Sequence, residues 1–295
     1  MKYEFILGHP EYPVTKWANN LRVDKSGYYA WLKSKDARKG KELRLKEKIK
    51  KEFDKSRGTY GPDRITKELR KAGESIGRTK CARYMAEMGL DSCHNRHRSK
   101  SLTNSKKARG EGYPNILRDV EFPIRQRMGV CSDITYIRTG EGFMYHCVIK
   151  DIVTKEVIAD YMADRMTKEL VINAILAASA RHEINDGCIF HSDRGSQYTS
   201  KAVKGLLSTL GFRQSFSRVG MPGDNSWAES FFATMKKELI HWARFETKSQ
   251  AREAVFEYIY CFYNVTRIQQ GLGYLSPKDL LRSLMEEEEG LKAVA

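Results

Sequence analysis

Residues 130–137 read Val-Cys-Ser-Asp-Ile-Thr-Tyr-Ile, and this stretch decides the fold. Apolar and polar positions alternate along it, and several side chains are β-branched, which predicts a strand. Asp133 lies in the middle of the stretch, where an aspartate is disfavoured and is costly to bury without a partner. Asp133 is therefore a candidate functional residue, with the cap of a turn as the alternative if the strand does not form.

The segment that follows alternates between strand and helix patterns. We expect strands over 143–150 and 156–161, a helix over 167–179, a strand over 188–193, a helix over 200–210, a strand over 212–216, and helices over 226–241 and 248–264. Three consecutive strands followed by alternating helices and strands predict an α/β fold, with helices on the faces of a mixed five-stranded sheet. This is the element order of ribonuclease-H-like domains.

The N-terminal third is predicted to be all-α. Helical patterns cover residues 14–33, 39–56, 62–70 and 78–88. Pro62 suits the first turn of the third helix, and Gly89 suits the end of the fourth. Two short helices joined by a turn resemble a helix-turn-helix DNA reader, and an ordinary small helical bundle is the alternative.

Positive charge is concentrated in that third. The formal net charge is +15, and residues 1–112 contain 29 Lys+Arg against 14 Asp+Glu, whereas residues 113–295 contain 23 of each. This asymmetry indicates a polyanionic partner, with nucleic acid first and a membrane surface second. For the run over 46–51 alone, a solvated lysine-rich helix surface is the better interpretation.

These patterns predict four segments: a basic helical DNA-binding region (1–90), a basic linker (91–125), a catalytic core (126–282) and an acidic tail (283–295). No window is apolar and long enough to span a bilayer, and no signal peptide is visible, so we expect a cytoplasmic protein. The six cysteines are scattered, which argues against disulfides. A zinc site at Cys93, His94 and His97 is a weak alternative to a solvated basic loop.

Two further acidic residues lie where chemistry is expected. Asp193 ends the fourth predicted strand, and Glu229 lies in the first turn of the helix that begins at Ser226. In an open sheet with the first strand central and the fourth beside it, Asp133 and Asp193 face each other near one end. Asp193 could instead be a turn aspartate, and Ser226 with Glu229 could form a capping box.

Three carboxylates suit phosphodiester chemistry, because two magnesium ions need hard oxygen ligands to activate a nucleophile and to stabilise the leaving oxygen. Lys236 is nearly two helical turns beyond Glu229 and so shares its face, where its ammonium could hold a DNA phosphate. An exposed lysine on an amphipathic helix is the alternative.

The same motifs resemble the DDE transposases of the IS-three family of insertion sequences, specifically the second-frame product with an integrase core. Asp193 and Glu229 are separated by 35 intervening residues, which is the family's spacing. The other matching segments lie at 26–32, 60–65, 132–136, 191–198, 224–231, 263–267 and 272–277. Departures from the family pattern are Cys131, where a tryptophan is usual nearby, and Gln269, where a histidine is usual.

The resemblance implies catalysis and metal binding by Asp133, Asp193 and Glu229, with two Mg²⁺ or Mn²⁺ ions. It also implies DNA contacts by residues in or beside these motifs, namely Lys236, Arg194, Asn225, Arg267, Tyr60 and Arg64.

The expected reaction is cleavage at the ends of a mobile element followed by strand transfer. The expected partners are the terminal repeats, target DNA, further copies of the chain on DNA, and a first-frame protein with a helix-turn-helix and a leucine zipper. When bound to DNA, the protein is expected to be associated with the bacterial nucleoid. Two rivals are a nuclease that only hydrolyses DNA and a catalytically silent DNA-binding regulator.

Overall fold

The computed structural model describes residues 2–96, 114–118, 125–182, 184, 186–218 and 222–294. The chain divides into two compact units, Met1–Ser92 and Cys93–Ala295. Within the described part of the chain, no helix is long and apolar enough to cross a membrane.

The first unit consists of five helices. They are α1 (Lys2–Gly8), α2 (Val14–Leu21), α3 (Lys25–Lys55), α4 (Pro62–Lys71) and α5 (Arg78–Glu87). Rings from α1 and α2 contact each other, with the centroids of Phe5 and Trp17 5.0 Å apart. Buried residues of α3, α4 and α5 form a small core, which contains Leu45, Ile49, Ile65, Leu69 and Tyr84. The unit is therefore all-α, as predicted.

One boundary in this unit differs from the prediction. The sequence suggested a break between residues 33 and 39, but α3 runs without interruption for 31 residues. The break lies earlier, where Arg22 adopts a left-handed conformation and the Asp24 side chain caps α3 by accepting a hydrogen bond from Gly27 N. Lysine, arginine and glutamate are good helix formers, so the polar segment after residue 33 stays helical.

The second unit is built on a five-stranded sheet. Its strands are β1 (Gly129–Thr139), β2 (Gly142–Asp151), β3 (Val157–Ala163), β4 (Ile189–Ser192) and β5 (Arg213–Phe216). Their order across the sheet is β3-β2-β1-β4-β5. The pairs β1–β2 and β2–β3 are antiparallel, whereas β1–β4 and β4–β5 are parallel. The mixed sheet with a central first strand is the predicted one.

Helices cover both faces of the sheet. The described helices of this unit are α6 (Cys93–Arg96), α7 (Lys168–Arg181), α8 (Lys201–Thr209), α9 (Ser226–Met235), α10 (Lys248–Phe256) and α11 (Pro277–Val294), and those that pack on the sheet are α7 to α10. One face packs Val130 and Ile149 against α7 and α8. The other face packs Ile137 and Val148 against α9, α10 and the segment that follows α10. Side chains that alternate along β1 and β2 fill both cores, as the period of two requires.

Two predicted helices change geometry before they end. The helix expected over 226–241 is α-helical to Met235 and π-helical over Lys236–Ile240. The helix expected over 248–264 is α-helical to Phe256 and π-helical over Glu257–Tyr263. A π-turn widens the helix by one residue per hydrogen-bonded ring, which shifts the side chains that follow it around the axis.

The structure describes parts of the predicted linker and of the acidic tail. Leu117 is buried in a small apolar cluster with Cys131, and Leu117 N donates to Ser215 Oγ. The remainder of the expected linker, 97–113 and 119–124, lies outside the described residues, as does His97 of the alternative zinc site. The residues expected to form a separate acidic tail instead continue α11, where Glu288 Oε1 accepts a hydrogen bond from Gln126 Nε2.

Candidate active site

Asp133 lies within β1, and Asp193 directly follows β4, the strand beside it. The parallel register pairs Cys131 of β1 with His191 of β4, so its continuation by two residues sets Asp133 beside Asp193. Neighbouring strands lie about 4.8 Å apart, which keeps the two carboxyl groups close. Asp193 Oδ1 accepts a hydrogen bond from Gly195 N at 3.0 Å, so the alternative of a turn aspartate describes its local conformation correctly. That single bond leaves the other oxygen of Asp193 available.

Glu229 reaches the same place from α9, which packs on β1. The residue before the helix is Asn225, and no side chain caps the helix, so Ser226 and Glu229 do not form the capping box that the sequence allowed. The alternative structural role for Glu229 is therefore not realised. Its carboxylate remains exposed in the first turn of α9.

Burial and neighbouring charge perturb the three carboxyl groups. Burial, together with the charges of Asp193 and Glu229, raises the pKa of Asp133 to about 7 against the hydrogen bond from Ile134 N. Burial and the charge of Asp193 raise the pKa of Glu229. Burial raises the pKa of Asp193 as well. Carboxylates that repel each other in a partly desolvated site fit a divalent cation, because a bound cation favours their ionised forms.

The donor set suits a hard metal ion, although the ligands are not drawn together into a cage. None of the three carboxylates has an ion-pair partner among the described residues, so their oxygens are available. Over the same residues, no group of three or more His, Cys, Asp and Glu side chains is spaced to hold a metal ion. Holding a metal here therefore requires the carboxylates of Asp133, Asp193 and Glu229 to come closer together.

A buried lysine ties α9 to the sheet. Lys150 of β2 is 2% exposed, and its Nζ donates to the main-chain oxygen of Trp227 at 2.7 Å. Trp227 lies two residues before Glu229 in the same helical turn. The sequence analysis missed this residue, although a lysine directly after the apolar segment 147–149 in a predicted strand was the available signal.

Asn225 makes a second buried hydrogen bond between the start of α9 and the sheet. Its Nδ2 donates to Ser132 O at 3.2 Å, directly before Asp133, and its side chain is 3% exposed. Asn225 was expected to contact DNA, but in this structure it is buried between β1 and the start of α9. The preceding Asp224 is held by Arg218 through two hydrogen bonds, which lower the pKa of Asp224. The turn before α9 is thus fixed at two adjacent residues.

Ser132 links the site to the segment after Asp193. Its Oγ lies 2.8 Å from the hydroxyl of Tyr198, which is fully buried, and Gln214 Nε2 donates to Tyr198 O. Each of the three acidic residues therefore lies within a few residues of a buried polar contact that fixes its backbone.

Lys236 and Arg194, which were both expected to contact DNA, lie near the acidic residues. Lys236 follows α9 and is partly buried, and burial lowers the pKa of its ammonium while the charge of Asp133 raises it. Lys236 therefore lies within electrostatic range of the carboxylates. Arg194 directs its Nε to Ser217 O at 2.8 Å, so part of its guanidinium is bound to the backbone beyond β5.

Arg267 is buried rather than available to DNA. Its side chain forms a two-pronged pair with Glu238, with distances of 2.7 Å from Nη2 to Oε1 and 2.8 Å from Nε to Oε2. Tyr258 and His94 also bond to Glu238, at 2.8 and 2.6 Å. Burial would raise the pKa of Glu238, but the hydrogen bond from His94 and the charge of Arg267 lower it to about 2. This network supports a structural role for Arg267.

In the first unit, Tyr60 and Arg64 lie together. The Tyr60 ring is buried, and the guanidinium of Arg64 lies 5.5 Å from its centroid. Tyr60 is thus part of the helical core and not a surface contact. Both helices of the pair carry exposed cations, α4 at Lys67, Arg70 and Lys71 and α5 at Arg78, Lys80 and Arg83. In helix-turn-helix proteins the second helix reads DNA, so α5 is the better placed of the two helices.

The sheet order, with helices on both faces, is that of the ribonuclease-H-like polynucleotidyl transferases. Two models of the integrase core domain match residues 125–222 and 229–280, and a model of an HTH-like domain matches residues 41–99. The first match contains Asp133 and Asp193, and the second begins at Glu229.

Two known transposases are similar in sequence to most of this chain. The chain is 37% identical over 235 residues to the transposase for insertion sequence element IS904 of Lactococcus lactis, covering 80% of this chain and 92% of the relative. It is 32% identical over 285 residues to the transposase InsF for insertion sequence IS3A of Escherichia coli, covering 94% and 97%. The chain therefore belongs to the same family of insertion-sequence transposases as these two relatives.

Solved structures are more distant. The catalytic domain of Mos1 mariner transposase matches with a TM-score of 0.37 at 18% identity, covering 46% of this chain and 71% of that one. The HTLV-2 integrase catalytic core domain in complex with magnesium matches with a TM-score of 0.40 at 12% identity, covering 52% and 95%.

Proposed function

We propose that this transposase cleaves DNA at the ends of its element and joins the freed 3′-hydroxyl to a second phosphodiester, with Asp133, Asp193 and Glu229 as the catalytic metal ligands. The observation that carries the proposal is that three carboxyl groups without an ion-pair partner among the described residues lie in one site, where burial, with the charges of Asp193 and Glu229, raises the pKa of Asp133 to about 7. Side chains that served only folding would have acquired cationic partners, since buried charges are otherwise costly.

The ions are Mg²⁺ or Mn²⁺, two to a site. When bound, such ions lower the pKa of the attacking water or hydroxyl and stabilise the leaving oxygen. The chain contributes hard oxygen donors from within β1, from the residue after β4 and from the first turn of α9. Lys236 contributes a cation beside Asp133 that binds a phosphate of the substrate and orients the phosphodiester.

The test is a strand-transfer assay with pre-cut element ends and a second duplex, in Mg²⁺ and in chelator. Joined product should form only with the metal, and Asp193→Asn and Glu229→Gln should each remove it while leaving DNA binding intact. Glu253→Gln, an exposed glutamate of α10, is the matched control.

The alternatives predict different products. A nuclease without strand transfer would give nicks and no joined product. A silent regulator would give identical results for the parent chain and for Asp193→Asn. Either outcome would remove the proposal.

For the rest of the chain, we propose that residues 1–90 bind the terminal repeats and that 126–282 form the catalytic core, with copies of the chain assembling on DNA. The excess positive charge of residues 1–112 supports the first assignment, because phosphate contacts dominate affinity for DNA. A first-frame partner that carries a leucine zipper is a further proposal. Co-purification of the two products on repeat DNA would test it.

A further inference from the structure

Two aromatic rings beside the carboxylates are left open to solvent. Tyr136 of β1 is 49% exposed and Phe143 of β2 is 50% exposed. Their centroids lie 5.4 Å apart at an interplanar angle of 83°, so the rings meet edge to face. Neither ring is among the buried residues of the two sheet cores. The pair is therefore an aromatic surface whose exposure packing does not explain.

This surface lies along β1 on the side where its neighbour has ended. Among the described residues, β1 pairs with β4 only over 129–131 and bridges Phe245 at Thr139, so no strand pairs with this edge between Asp133 and Ile137. Tyr136 is three residues past Asp133, which is about 10 Å along a strand, and the two-residue period of a strand directs the two side chains to opposite faces of the sheet. A DNA strand that contacts both must therefore pass over this edge of β1, and about three nucleotides, at about 3.4 Å each, span the distance along the strand.

Lys236 lies close to both features. Its Nζ lies 5.8 Å from the centroid of the Tyr136 ring, and its charge acts on Asp133. A cation that holds a phosphate, next to an exposed ring that can stack on a base, is the combination that binds unpaired nucleotides.

We propose that Tyr136 and Phe143 form a stacking subsite for one unpaired nucleobase of the substrate DNA, close to the phosphodiester that is cut or joined. The inference rests on the proposed function, since it places a nucleic-acid strand at the carboxylates. The base is either at the frayed end of the duplex or turned out of it, because a base stacked between two neighbours has no free face. Phe143 supports the Tyr136 ring from its edge.

The test combines a protein variant with the removal of single bases. Strand transfer is measured for the parent chain and for Tyr136→Ala on substrates with an abasic site at each position within three nucleotides of the cleavage point. At one position the parent should lose about 5- to 100-fold in kcat/KM when the base is removed, the usual range for base stacking on an aromatic ring. Tyr136→Ala should lose a similar factor on the intact substrate and should not lose it again on that abasic substrate.

Two variants serve as controls. Tyr136→Phe retains the ring and should behave as the parent. Phe256→Ala removes a ring of similar exposure on α10 and should lose the same factor as the parent at every abasic position. A second readout does not need chemistry: 2-aminopurine at the sensitive position should be quenched by the parent chain without metal, and less so by Tyr136→Ala.

Independent losses from Tyr136→Ala and from base removal at every position would overturn the subsite, as would equal 2-aminopurine quenching by the parent and Tyr136→Ala. The proposed function fails differently. If no joined product forms with Mg²⁺ in the parent chain, the catalytic assignment is lost, but the 2-aminopurine measurement still decides whether the rings stack on a base.

Discussion

Lys150 Nζ donates a hydrogen bond of 2.7 Å to the main-chain oxygen of Trp227, so a buried ammonium of β2 holds the turn of α9 that carries Glu229. Burial lowers the pKa of Lys150, and no carboxylate bonds to it directly. Desolvating an ammonium opposes folding, and one carbonyl acceptor offsets that cost incompletely. A residue that weakens folding and bonds to the helix that carries Glu229, a proposed metal ligand, is better explained by positioning than by stability.

Lys150→Met is therefore predicted to separate activity from stability. Methionine has a similar length and no charge, so the midpoint of urea denaturation should stay the same or rise. The rate of strand transfer should fall by roughly 100-fold, because a displacement of about 1 Å at a catalytic group has costs of that size.

Lys201→Met, an exposed position of α8, is the control and should change neither quantity. A Lys150→Met protein with full activity would show that the contact does not position Glu229. A protein that unfolds would show that the contact is needed for folding.

Asn225→Ala is predicted to weaken folding rather than DNA binding. The change removes the donor to Ser132 O and leaves a buried carbonyl without that partner, which costs about 1–3 kcal/mol. Urea denaturation measures the loss. The slope of log affinity against log salt for repeat DNA should stay unchanged, since no phosphate contact is removed. If the stability is unchanged and the salt slope is shallower, the result would instead support the DNA contact by Asn225 that the sequence suggested.

The sheet could be predicted from the sequence because the patterns that indicate it depend on residues that are close together in the chain. The alternation over 130–137 and the positions of Asp133, Asp193 and Glu229 relative to element ends depend only on neighbours in the chain. What it could not predict are contacts between distant residues. Arg267 and Glu238 are 29 residues apart, and nothing in either motif signals that one buries the other. Tyr60 was likewise taken for a surface ring because its burial depends on the packing of helices.

The pair of Glu238 and Arg267 should make stability depend on pH in a defined window. The pKa of Glu238 is about 2 in the folded protein and near 4.5 in an unfolded chain. A lowered pKa stabilises the fold above about 4.5, and the contribution disappears as pH falls from there towards 2. The magnitude is roughly 3 kcal/mol, from the size of that shift.

Glu238→Gln removes the charge that compensates buried Arg267, and we expect a loss of about 3–5 kcal/mol at pH 7. Between pH 7 and 3, the free energy of unfolding measured with urea should fall more steeply for the parent chain than for Glu238→Gln. The variant has no carboxylate to protonate at position 238. Glu253→Gln should follow the parent. Parallel pH profiles for the parent and Glu238→Gln would rule out the ion pair as the source of the pH dependence.

DNA recognition by the first unit should depend on α5. Lys80 and Arg83 are exposed on this helix and flank the ring of Tyr84, from which their charged groups lie 5.5 and 5.1 Å. Each phosphate contact releases about 0.9 counterion, so Lys80→Ala and Arg83→Ala should each lower the slope of log affinity against log salt by about that amount. Lys50→Ala, an exposed lysine of α3 that is paired with Asp54, should leave the slope unchanged.

A contact with a base edge would appear differently, because the variant would lose discrimination between repeat and random DNA by about 1–3 kcal/mol. Measuring both quantities on repeat and random duplexes therefore decides whether α5 reads sequence, binds only phosphates, or does neither, and the last result would refute this placement of the DNA.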